Sequence, residues 1–344
     1  MKVLIAGGAG YIGTKLAPRL AARGYEVEVV DLCWFGNHLQ SNIPVLKKDV
    51  LDLTPDDLAG VDVVIFIAGL SNDPMAEFSP ALNYVYNAAA PANLAYVAKR
   101  AGVGRFVFGS SCSVYGFTKD ELWDESAPTT AVYPYGISKL QGEAGVRHLA
   151  DDGYSVIILR KGTVSGYSPR MRLDLVVNTM FRSALESGCI TVNNPSIWRP
   201  ILALEDAVTA YVRAVEAAPE ISGTFNVTSE NVTLGGLADQ VAATLQREMD
   251  LRPDLKILHR HDVRNYKVSG ERARVTLGFT PACDVRGIVE DLVENRERFA
   301  DFGNPAYSNI TTFRALAAGE LGWRGFGERP PGDHQDGLPE AVPA

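Results

Sequence analysis

Long apolar runs and dense clusters of basic residues are both missing from this sequence. Apolar residues nowhere continue for the roughly 20 positions that a membrane-spanning helix needs. The N-terminal run in MKVLIAGGAGYIG is short, is broken by glycines and lacks the features of a secretory signal. The chain is acidic, with 33 basic and 41 acidic side chains. We therefore expect neither membrane association nor nucleic-acid binding, and an anionic ligand must be bound by local donors.

Cysteine is scarce as well. The four cysteines are scattered along the chain, and no CxxC pair occurs. A chain of 344 residues that is 46% hydrophobic is long enough to form a core without disulfide bonds. We therefore expect a reduced, cytoplasmic protein, and we predict no metal site.

Short apolar strands alternate with helical patterns through the first half of the chain. The predicted strands are 2–7, 26–32, 61–69, 105–111 and 155–162, and the predicted helices are 11–23, 81–101 and 134–150. Apolar strands joined by helices indicate a parallel sheet that is covered on both faces. The predicted fold class is therefore α/β, a doubly wound parallel sheet of the Rossmann type with a smaller α+β substrate-binding domain.

The alternation becomes less regular after about residue 166. Predicted helices at 172–187, 204–218 and 233–248 are interspersed with short strands at 188–193 and 223–229. We predict a cofactor-binding domain at 1–165 with returns near 199–228, and a substrate-binding part formed by 166–198 and 229–325. Residues 327–344 are rich in proline, glycine and aspartate, and we expect a disordered tail there.

A glycine-rich turn follows the first predicted strand. In GGAGYIG, Gly7, Gly10 and Gly13 have the spacing GxxGxxG between a strand and a helix, which is the context that a dinucleotide site requires. Glycine lets the backbone approach a pyrophosphate, and the N-terminus of the helix supplies N–H donors. We predict that these glycines bind a cofactor together with Tyr11 and Ile12 of the same turn.

Acidic residues near the end of the second strand indicate which cofactor is bound. Asp31 follows the turn by about 20 residues, where a carboxylate accepts both ribose hydroxyls and repels a 2′-phosphate. NAD is therefore favoured over NADP. Asp49 is predicted either to reach the adenine amine or to cap the helix that follows it. Val50 and Ala68 are further predicted cofactor contacts.

Three tyrosines precede a lysine by four residues, a spacing that places both side chains on one face of a helix. Tyr11 and Lys15 lie in the phosphate-binding turn and its helix, where the backbone binds the ligand, so we interpret this pair as structural. Tyr115 and Lys119 lie in a loop-like stretch, where the helical relation does not hold.

The third pair has a clear helical setting. Tyr135 follows Pro134, a favourable first helical residue, and begins an amphipathic segment that contains Lys139. An ammonium near a phenol favours the phenolate, which can act as a general base. The spacing therefore predicts Tyr135 and Lys139 as a catalytic pair.

Serines follow the strand that precedes this helix. In a doubly wound sheet, ligands bind beyond the carboxyl ends of the strands, where Ser110, Ser111 and Ser113 are expected to lie. A hydroxyl at that place can hold a substrate alcohol beside Tyr135. We predict that Ser111 and Ser113 contact the substrate.

The combination of GGAGYIG, SSCSVYG and YPYGISK resembles the extended short-chain dehydrogenase/reductase family, in particular its NAD-dependent sugar epimerase/dehydratase group. The resemblance covers about residues 1–300. It implies NAD as the cofactor and Ser111, Tyr135 and Lys139 as the catalytic residues, with Tyr135 and Lys139 also contacting the cofactor. It further implies that Asn87 shapes the cofactor site and that the protein forms a homodimer.

The same resemblance implies a nucleotide-diphosphate sugar as the substrate. Asn178 in LDLVVN matches a residue that contacts the diphosphate, and Arg199 and Arg264 match phosphate-binding arginines. The planar guanidinium suits phosphate because it bonds two oxygens at once. The stretch SPRMRLDLVVN also resembles a branch that contains GDP-heptose C4-dehydrogenases, which makes Arg170 and Arg172 candidates for substrate contacts.

The chain departs from the family pattern at several positions. Members that act as 4,6-dehydratases carry an Asp-Glu pair directly after the catalytic threonine, whereas this chain has Cys112 and Ser113. Neither is a competent acid at neutral pH, which counts against dehydration. Cys112 is interpreted either as a nucleophile or, preferably, as a small buried residue. Ala203 and Ser165 replace a histidine and a tyrosine of the family.

The predicted function is an NAD-dependent nucleotide-sugar epimerase that inverts C4 through a transient 4-keto intermediate. A C4 dehydrogenase or ketoreductase is the alternative, because it needs the same three catalytic residues. A non-catalytic NAD-binding protein is a further alternative, although such proteins typically lose the tyrosine–lysine pair, which is present here as Tyr135 and Lys139.

Overall fold

A computed structural model describes residues 1–259 and 265–319 of the protein. Arg264 and the predicted tail at 327–344 lie outside the described residues. In chain order the strands are β1 (Lys2–Ala6), β2 (Glu26–Val30), β3 (Val45–Leu46), β4 (Val63–Phe66), β5 (Arg105–Ser111), β6 (Phe117–Trp123), β7 (Ser155–Lys161), β8 (Thr163–Ser165), β9 (Cys189–Asn193), β10 (Trp198–Ala203), β11 (Gly223–Val227), β12 (Glu230–Thr233), β13 (Asp254–Leu258) and β14 (Asn265–Val268). The α-helices are α1 (Gly13–Ala21), α2 (Asp73–Phe78), α3 (Pro80–Tyr84), α4 (Ala90–Arg100), α5 (Pro134–Arg147), α6 (Val176–Ser187), α7 (Leu204–Glu216), α8 (Leu234–Met249), α9 (Glu271–Leu277), α10 (Val285–Asn295) and α11 (Asn309–Ala317).

Seven parallel strands form the main sheet of the described chain, in the order β3-β2-β1-β4-β5-β7-β11. The strand order reverses between β1 and β4, where Val3 pairs with both Val27 and Val63. A crevice for ligands opens outside the carboxyl ends of the strands at such a point. The predicted doubly wound parallel sheet is therefore confirmed.

Both faces of the main sheet are covered by apolar side chains. Val3 and Ile5 of β1 pack in a cluster with helices α1 and α7 on one face. Leu4 and Ala6 of the same strand pack in a second cluster with α4 on the other face. Alternate residues of a strand point to opposite faces, so a strand that is buried on both sides reads as a continuous apolar run, as predicted.

The helix predicted at 81–101 is interrupted in the structure. A π-helical turn, Val85–Ala89, separates α3 from α4. Pro91 has no amide hydrogen, so it cannot donate the helical hydrogen bond to the carbonyl of Asn87. A Cβ atom at Gly142 of α5 would overlap this carbonyl oxygen. The turn therefore places Asn87 against α5, which carries the predicted catalytic pair.

A separate apolar cluster forms the second part of the molecule. It joins α6, α8 and α10 to β9 and β10. Strand β10 lies in a three-stranded sheet with β8 and β12, whereas α7 and β11 pack with the main sheet. The domain bounds given from the sequence stay predictions. Among the described residues, no helix is both long enough and apolar enough to cross a membrane.

A buried ion pair attaches α5 to the main sheet. Arg160 of β7 donates from Nε to Oε1 of Glu143 at 2.9 Å and from Nη2 to Oε2 at 2.7 Å. The hydroxyl of Ser110 donates to the same Glu143 carboxylate at 2.6 Å. Glu143 lies eight residues after Tyr135 on α5, so this pair helps to hold the catalytic helix in place.

Candidate active site

A cavity of about 620 Å³ opens at the carboxyl ends of the central strands. Most of the residues predicted from the sequence line it: Gly7, Gly10, Tyr11, Ile12, Asp31, Asp49, Val50, Ala68, Ser111, Ser113, Tyr135, Lys139 and Arg199. Gly13, Asn87 and Asn178 are not part of this lining. The fold therefore brings the predicted cofactor, catalytic and substrate residues into one cavity.

The glycine turn at one end of this cavity fits a pyrophosphate. Gly7 has φ of +86°, and a Cβ atom there would overlap the backbone of Ala68. Helix α1 begins directly after the turn, and its N-cap residue, Ile12, makes no side-chain hydrogen bond to the helix. The N-terminus of α1 therefore lacks a side-chain cap and can offer its amides to an anion.

Substituting Gly7 should separate close approach from backbone strain. Gly7→Ala is expected to weaken NAD binding by about tenfold or more, because the methyl group displaces the backbone of Ala68 in addition to the strain of a positive φ. Gly24 has φ of +85° with open space around it, so Gly24→Ala is a matched control that should lower stability alone. Equal NAD affinity of both variants by calorimetry would contradict the proposed turn.

Asp31 is positioned beside the turn by backbone donors. Its Oδ2 accepts from the amide of Ala9 at 3.0 Å, and its Oδ1 accepts from the amide of Cys33 at 2.7 Å. Burial raises the pKa of Asp31, whereas these two hydrogen bonds act to lower it. Each carboxylate oxygen keeps a second lone pair, so the ribose hydroxyls predicted to bind there still find acceptors.

Asp49 accepts two hydrogen bonds within the protein. Its Oδ1 accepts from the amide of Leu51 at 3.0 Å, which caps a short 3₁₀ turn, and its Oδ2 accepts from the hydroxyl of Tyr86 at 2.6 Å. The predicted capping role is therefore confirmed. The adenine contact stays a prediction, since Asp49 also lines the cavity.

The three predicted catalytic residues meet although they come from two elements. Ser111 ends β5, and its hydroxyl lies close enough to the Tyr135 phenol to act on the pKa of that group. Lys139, one turn later on α5, donates from Nζ to the carbonyl of Gly109 at 3.1 Å, and this Nζ lies 5.9 Å from the centre of the Tyr135 ring. The helical spacing expected for Tyr135 and Lys139 is confirmed.

Burial dominates the protonation of this pair. Desolvation raises the pKa of Tyr135, while Arg172 and the hydrogen bond with Ser111 act to lower it. Desolvation also lowers the pKa of Lys139 to about 8, and the Glu143 carboxylate acts against that shift. The phenol is therefore neutral at pH 7 in the protein alone, and further positive charge is needed before it can act as a base.

The pair Tyr11 and Lys15 has a structural role, as interpreted. The hydroxyl of Tyr11 donates to the carbonyl of Gly166 at 2.6 Å, and Lys15 pairs with Glu205 at 2.5 Å. The hydroxyl of Tyr115 donates to the Asn226 side chain at 2.8 Å, away from the cavity lining.

Cys112 is a structural residue as well. It is 1% exposed, it does not line the cavity, and burial raises its pKa. A reactive cysteine needs an accessible thiolate, which this environment disfavours. The interpretation of Cys112 as a small buried cysteine is therefore confirmed, and the nucleophile alternative is not supported.

Two predicted asparagines lie behind the cavity wall. Asn87 donates from Nδ2 to the carbonyl of Leu70 at 2.8 Å and so supports a lining residue. Asn178 donates to the carbonyl of Arg172 at 2.7 Å and accepts from the amide of Gly166 at 3.0 Å. Both side chains hold backbone segments, and their direct contacts with ligands stay predictions.

Arg199 lines the same cavity from β10, which belongs to the three-stranded sheet and not to the main sheet. It is 9% exposed, and its guanidinium lies 5.5 Å from the ring centre of Tyr266. Asn193 and Leu234 line the cavity with Arg199 and Tyr266. The sequence had not identified Tyr266, Asn193 or Leu234 as site residues. No motif marked them. Arg264, the second predicted phosphate-binding arginine, lies outside the described residues.

The sequence reasoning also missed Lys161, which lines the cavity. Its Nζ donates to the hydroxyl of Tyr211 at 2.9 Å. Burial, followed by the ammonium of Lys139, lowers the pKa of Lys161 to about 7. The sequence did contain a sign of this residue, because Lys161 ends the otherwise buried strand SVIILRK. The site thus contains two lysines whose charge changes near neutral pH.

Lys161 should make the stability of the protein depend on pH. Its pKa is about 7 in the folded protein against an ordinary value of 10.5, so between these values the unfolded chain binds more protons. The free energy of unfolding is therefore expected to rise with pH over this window. Lys161→Met should reduce that rise in urea unfolding between pH 7 and 10. The exposed Lys256→Met is the control, and identical pH slopes in both variants would contradict the expectation.

No group of three or more histidine, cysteine, aspartate or glutamate side chains that could hold a metal ion occurs within residues 1–259 and 265–319.

Known proteins resemble this chain in sequence and structure. UDP-glucose 4-epimerase of Azospirillum brasilense is 33% identical over 179 residues, which is 50% of this chain and 51% of the relative. UDP-glucuronic acid decarboxylase 4 of Arabidopsis thaliana is 27% identical over 333 residues, covering 91% of this chain and 72% of the relative. The chain thus spans about half the length of the 4-epimerase that it matches.

A solved structure of MoeE5 in complex with UDP-glucuronic acid and NAD superposes on the chain with a TM-score of 0.76 at 26% identity. The match covers 87% of this chain and 99% of MoeE5. The family described as the NAD dependent epimerase/dehydratase family matches residues 3–228, well over half of the chain. The resemblance stated from the motifs is therefore confirmed, and so is NAD as the cofactor on which this family depends. This protein is a member of the NAD dependent epimerase/dehydratase family.

Proposed function

We propose that the protein is an NAD-dependent nucleotide-sugar epimerase that inverts C4 through a transient 4-keto sugar. One observation carries the proposal: Ser111, Tyr135 and Lys139 meet in a cavity that the glycine turn and Arg199 also line. This cavity offers a cofactor site, a base and a phosphate-binding residue in one place.

The side chains of this site divide the proton chemistry. Bound NAD would accept hydride from C4, return it to the ketone and contribute positive charge near the phenol. Tyr135, as phenolate, takes the proton from the C4 hydroxyl and later returns it. Ser111 hydrogen-bonds the same sugar oxygen. Lys139, held by the carbonyl of Gly109, adds positive charge that favours the phenolate over the phenol that burial alone prefers.

Epimerisation also requires the sugar to present its other face without leaving. Arg199, which lines the cavity, is proposed with Arg264 to anchor the nucleotide diphosphate while the sugar turns, and Asn178 would support them from behind the wall by holding the Arg172 backbone. Ser113 lines the cavity near Ser111 and is proposed as a further substrate contact. An anchor remote from the reacting carbon leaves the 4-keto sugar free to rotate.

The departures from the dehydratase pattern support a reaction without elimination. Cys112 is buried away from the cavity, and burial raises its pKa. Ser113 offers only a hydroxyl. Neither side chain supplies the acid that removal of water needs at neutral pH. The 4-epimerase relative, which aligns with half of this chain, points to the same chemistry.

The test is NMR of the purified protein with UDP-, GDP- and dTDP-sugars in D₂O, with no cofactor added. A C4 epimer free of solvent deuterium would support recycling of bound NAD within each turnover. Deuterium at a carbon next to C4 would show enolisation and a different stereocentre. A keto sugar formed only with added NAD would replace the epimerase by the C4 dehydrogenase.

The assembly and location of the protein are part of the proposal. We propose a cytoplasmic homodimer, as the family resemblance implies. All four cysteines lie among the described residues and are free thiols, which fits a reducing compartment. Light scattering of the purified protein tests the dimer, and a monomeric mass at micromolar concentration would overturn it.

A further inference from the structure

Arg170 is a buried cation on the cavity wall that the proposed reaction does not use. It is 2% exposed and lines the cavity. Its hydrogen bonds among the described residues go to uncharged oxygens, from Nη2 to Oδ1 of Asn309 at 2.5 Å and from Nη1 to the carbonyl of Met171 at 3.3 Å. Its Nε is buried with no hydrogen-bond partner in the described chain. A guanidinium in this environment is costly unless an anion completes it.

Arg172, close by on the same wall, differs from Arg170 because its charge is paired with a carboxylate. Arg172 lines the same cavity but forms two hydrogen bonds with the Asp174 carboxylate, at 2.8 and 3.0 Å. Burial, followed by the charge of Arg172, lowers the pKa of Arg170 to about 9. Arg170 thus uses two of its five N–H donors within the described residues, and its Nε–H is among those left for an anion.

The position of Arg170 indicates which anion it binds. Its guanidinium stacks on Phe35 at 3.8 Å from the ring centre, and Phe35 follows the cofactor residue Asp31 by four positions. The carboxylates of Asp174 and Asp31 both act on Arg170, and Asp31 lies beside the glycine turn, where its Oδ2 accepts from the amide of Ala9. Arg199, the proposed diphosphate anchor, lies instead beside Tyr266.

The C-terminal helix holds Arg170 in this position. Asn309 begins α11, accepts from Arg170, and donates from Nδ2 to the hydroxyl of Ser71 at 2.6 Å. Four residues later, Phe313 is fully buried and packs on Trp34 with ring centres 5.7 Å apart. Helix α11 is therefore docked against the segment that follows Asp31.

We propose that Arg170, positioned by Asn309 and Phe35, binds the pyrophosphate of the dinucleotide cofactor, so that the C-terminal helix completes the cofactor site. The inference rests on the proposed use of NAD. The planar fork of the guanidinium matches two phosphate oxygens and would add charged donors to the amides of the glycine turn. This assigns Arg170 to the cofactor. The family resemblance had instead made it a candidate for substrate contacts.

The experiment compares ligands that carry the pyrophosphate of the cofactor with ligands that lack it. Protein freed of bound nucleotide is titrated by calorimetry with NAD, ADP-ribose, adenosine and UDP. Arg170→Met is expected to weaken NAD and ADP-ribose binding by about 10- to 100-fold, the loss of one charge-assisted contact. Adenosine, which lacks the pyrophosphate, and UDP, which reports on the substrate end, should change by less than about twofold.

Three further variants separate a loss of ligand binding from a loss of folding. Arg170→Lys keeps the charge without the fork and should weaken ADP-ribose binding by about three- to tenfold at an unchanged melting temperature. The ADP-ribose affinity of Asn309→Ala should fall between those of Arg170→Lys and wild type, because Arg170 loses the hydrogen bond that positions it. Arg213→Met, on the outer face of α7 with its side chain 48% exposed, is the control and should bind all four ligands as wild type does.

Each other outcome has a distinct meaning. A loss of UDP affinity with ADP-ribose unchanged would assign Arg170 to the substrate diphosphate and overturn the inference. Equal losses for adenosine and ADP-ribose would show a structural effect and overturn it too, as would an Arg170→Lys variant that binds ADP-ribose like wild type. Wild-type protein that binds neither NAD nor ADP-ribose would overturn the proposed function itself.

Discussion

Replacing Tyr135 by phenylalanine is expected to lower kcat by about 10²- to 10⁴-fold, the range of a general base, and to leave NAD bound. The phenol oxygen is the group that the proposed reaction uses, and Ser111 acts to lower its pKa. The ring itself stays, so the packing of Lys139 over it is preserved. Turnover is measured by NMR on the accepted sugar, and NAD content by absorbance of the nucleotide released on denaturation.

Tyr115→Phe is the matched control for this experiment. Tyr115 also precedes a lysine by four residues, but its hydroxyl is bonded to Asn226 outside the cavity lining. The hydroxyl also accepts from Nη1 of Arg160 at 2.8 Å, so its loss should lower stability by about 1–3 kcal/mol while changing kcat far less than Tyr135→Phe does. Wild-type turnover in Tyr135→Phe would remove Tyr135 from the mechanism. A loss of NAD together with activity would show instead that the tyrosine holds the cofactor.

Arg160→Met is expected to lower the free energy of unfolding by about 3–5 kcal/mol. The substitution removes the Arg160 donors from the Glu143 carboxylate, which is 0% exposed, and leaves it with the Ser110 hydroxyl and the exposed Arg147 at 3.2 Å. A buried charge without compensation is among the most costly defects in a protein interior. Because Glu143 lies on α5, we also expect kcat to fall as the Tyr135 end of this helix becomes less well positioned. Urea unfolding and turnover at saturating substrate measure the two effects.

The double variant Glu143→Leu/Arg160→Met separates charge from packing. Removing both partners eliminates the uncompensated charge, so most of the lost stability should return, although Ser110 then loses its acceptor. The surface pair Arg274–Glu271 is the control, because its side chains are 57% and 59% exposed and Arg274→Met should cost less than about 1 kcal/mol. A loss below 1 kcal/mol in Arg160→Met would contradict a role for the buried pair in holding α5.

Local patterns predicted much of the site because cofactor binding depends on backbone geometry near the chain's start. The GxxGxxG spacing after a strand is enough to predict the turn, and the structure adds the close approach of Gly7 to Ala68. The interruption at Val85–Ala89 was missed, although Pro91 was visible, because a proline tells where a helix is disturbed but not whether it ends. The sequence also did not predict that Tyr135 is a neutral phenol in the protein alone. Its net shift comes from burial, which no spacing of residues reveals.

The sequence by itself determined the periodicity of the strands, the glycine turn, the i,i+4 relation of Tyr135 to Lys139 and the family. These features are local, since they depend on residues within one strand, turn or helix. Only the tertiary structure decided which tyrosine–lysine pair lines the cavity, that Lys161 joins it, and that Arg170 meets Asn309, which is 139 residues away. Such contacts depend on how helices and loops pack over the carboxyl ends of the sheet, and packing between distant segments has no period along the chain.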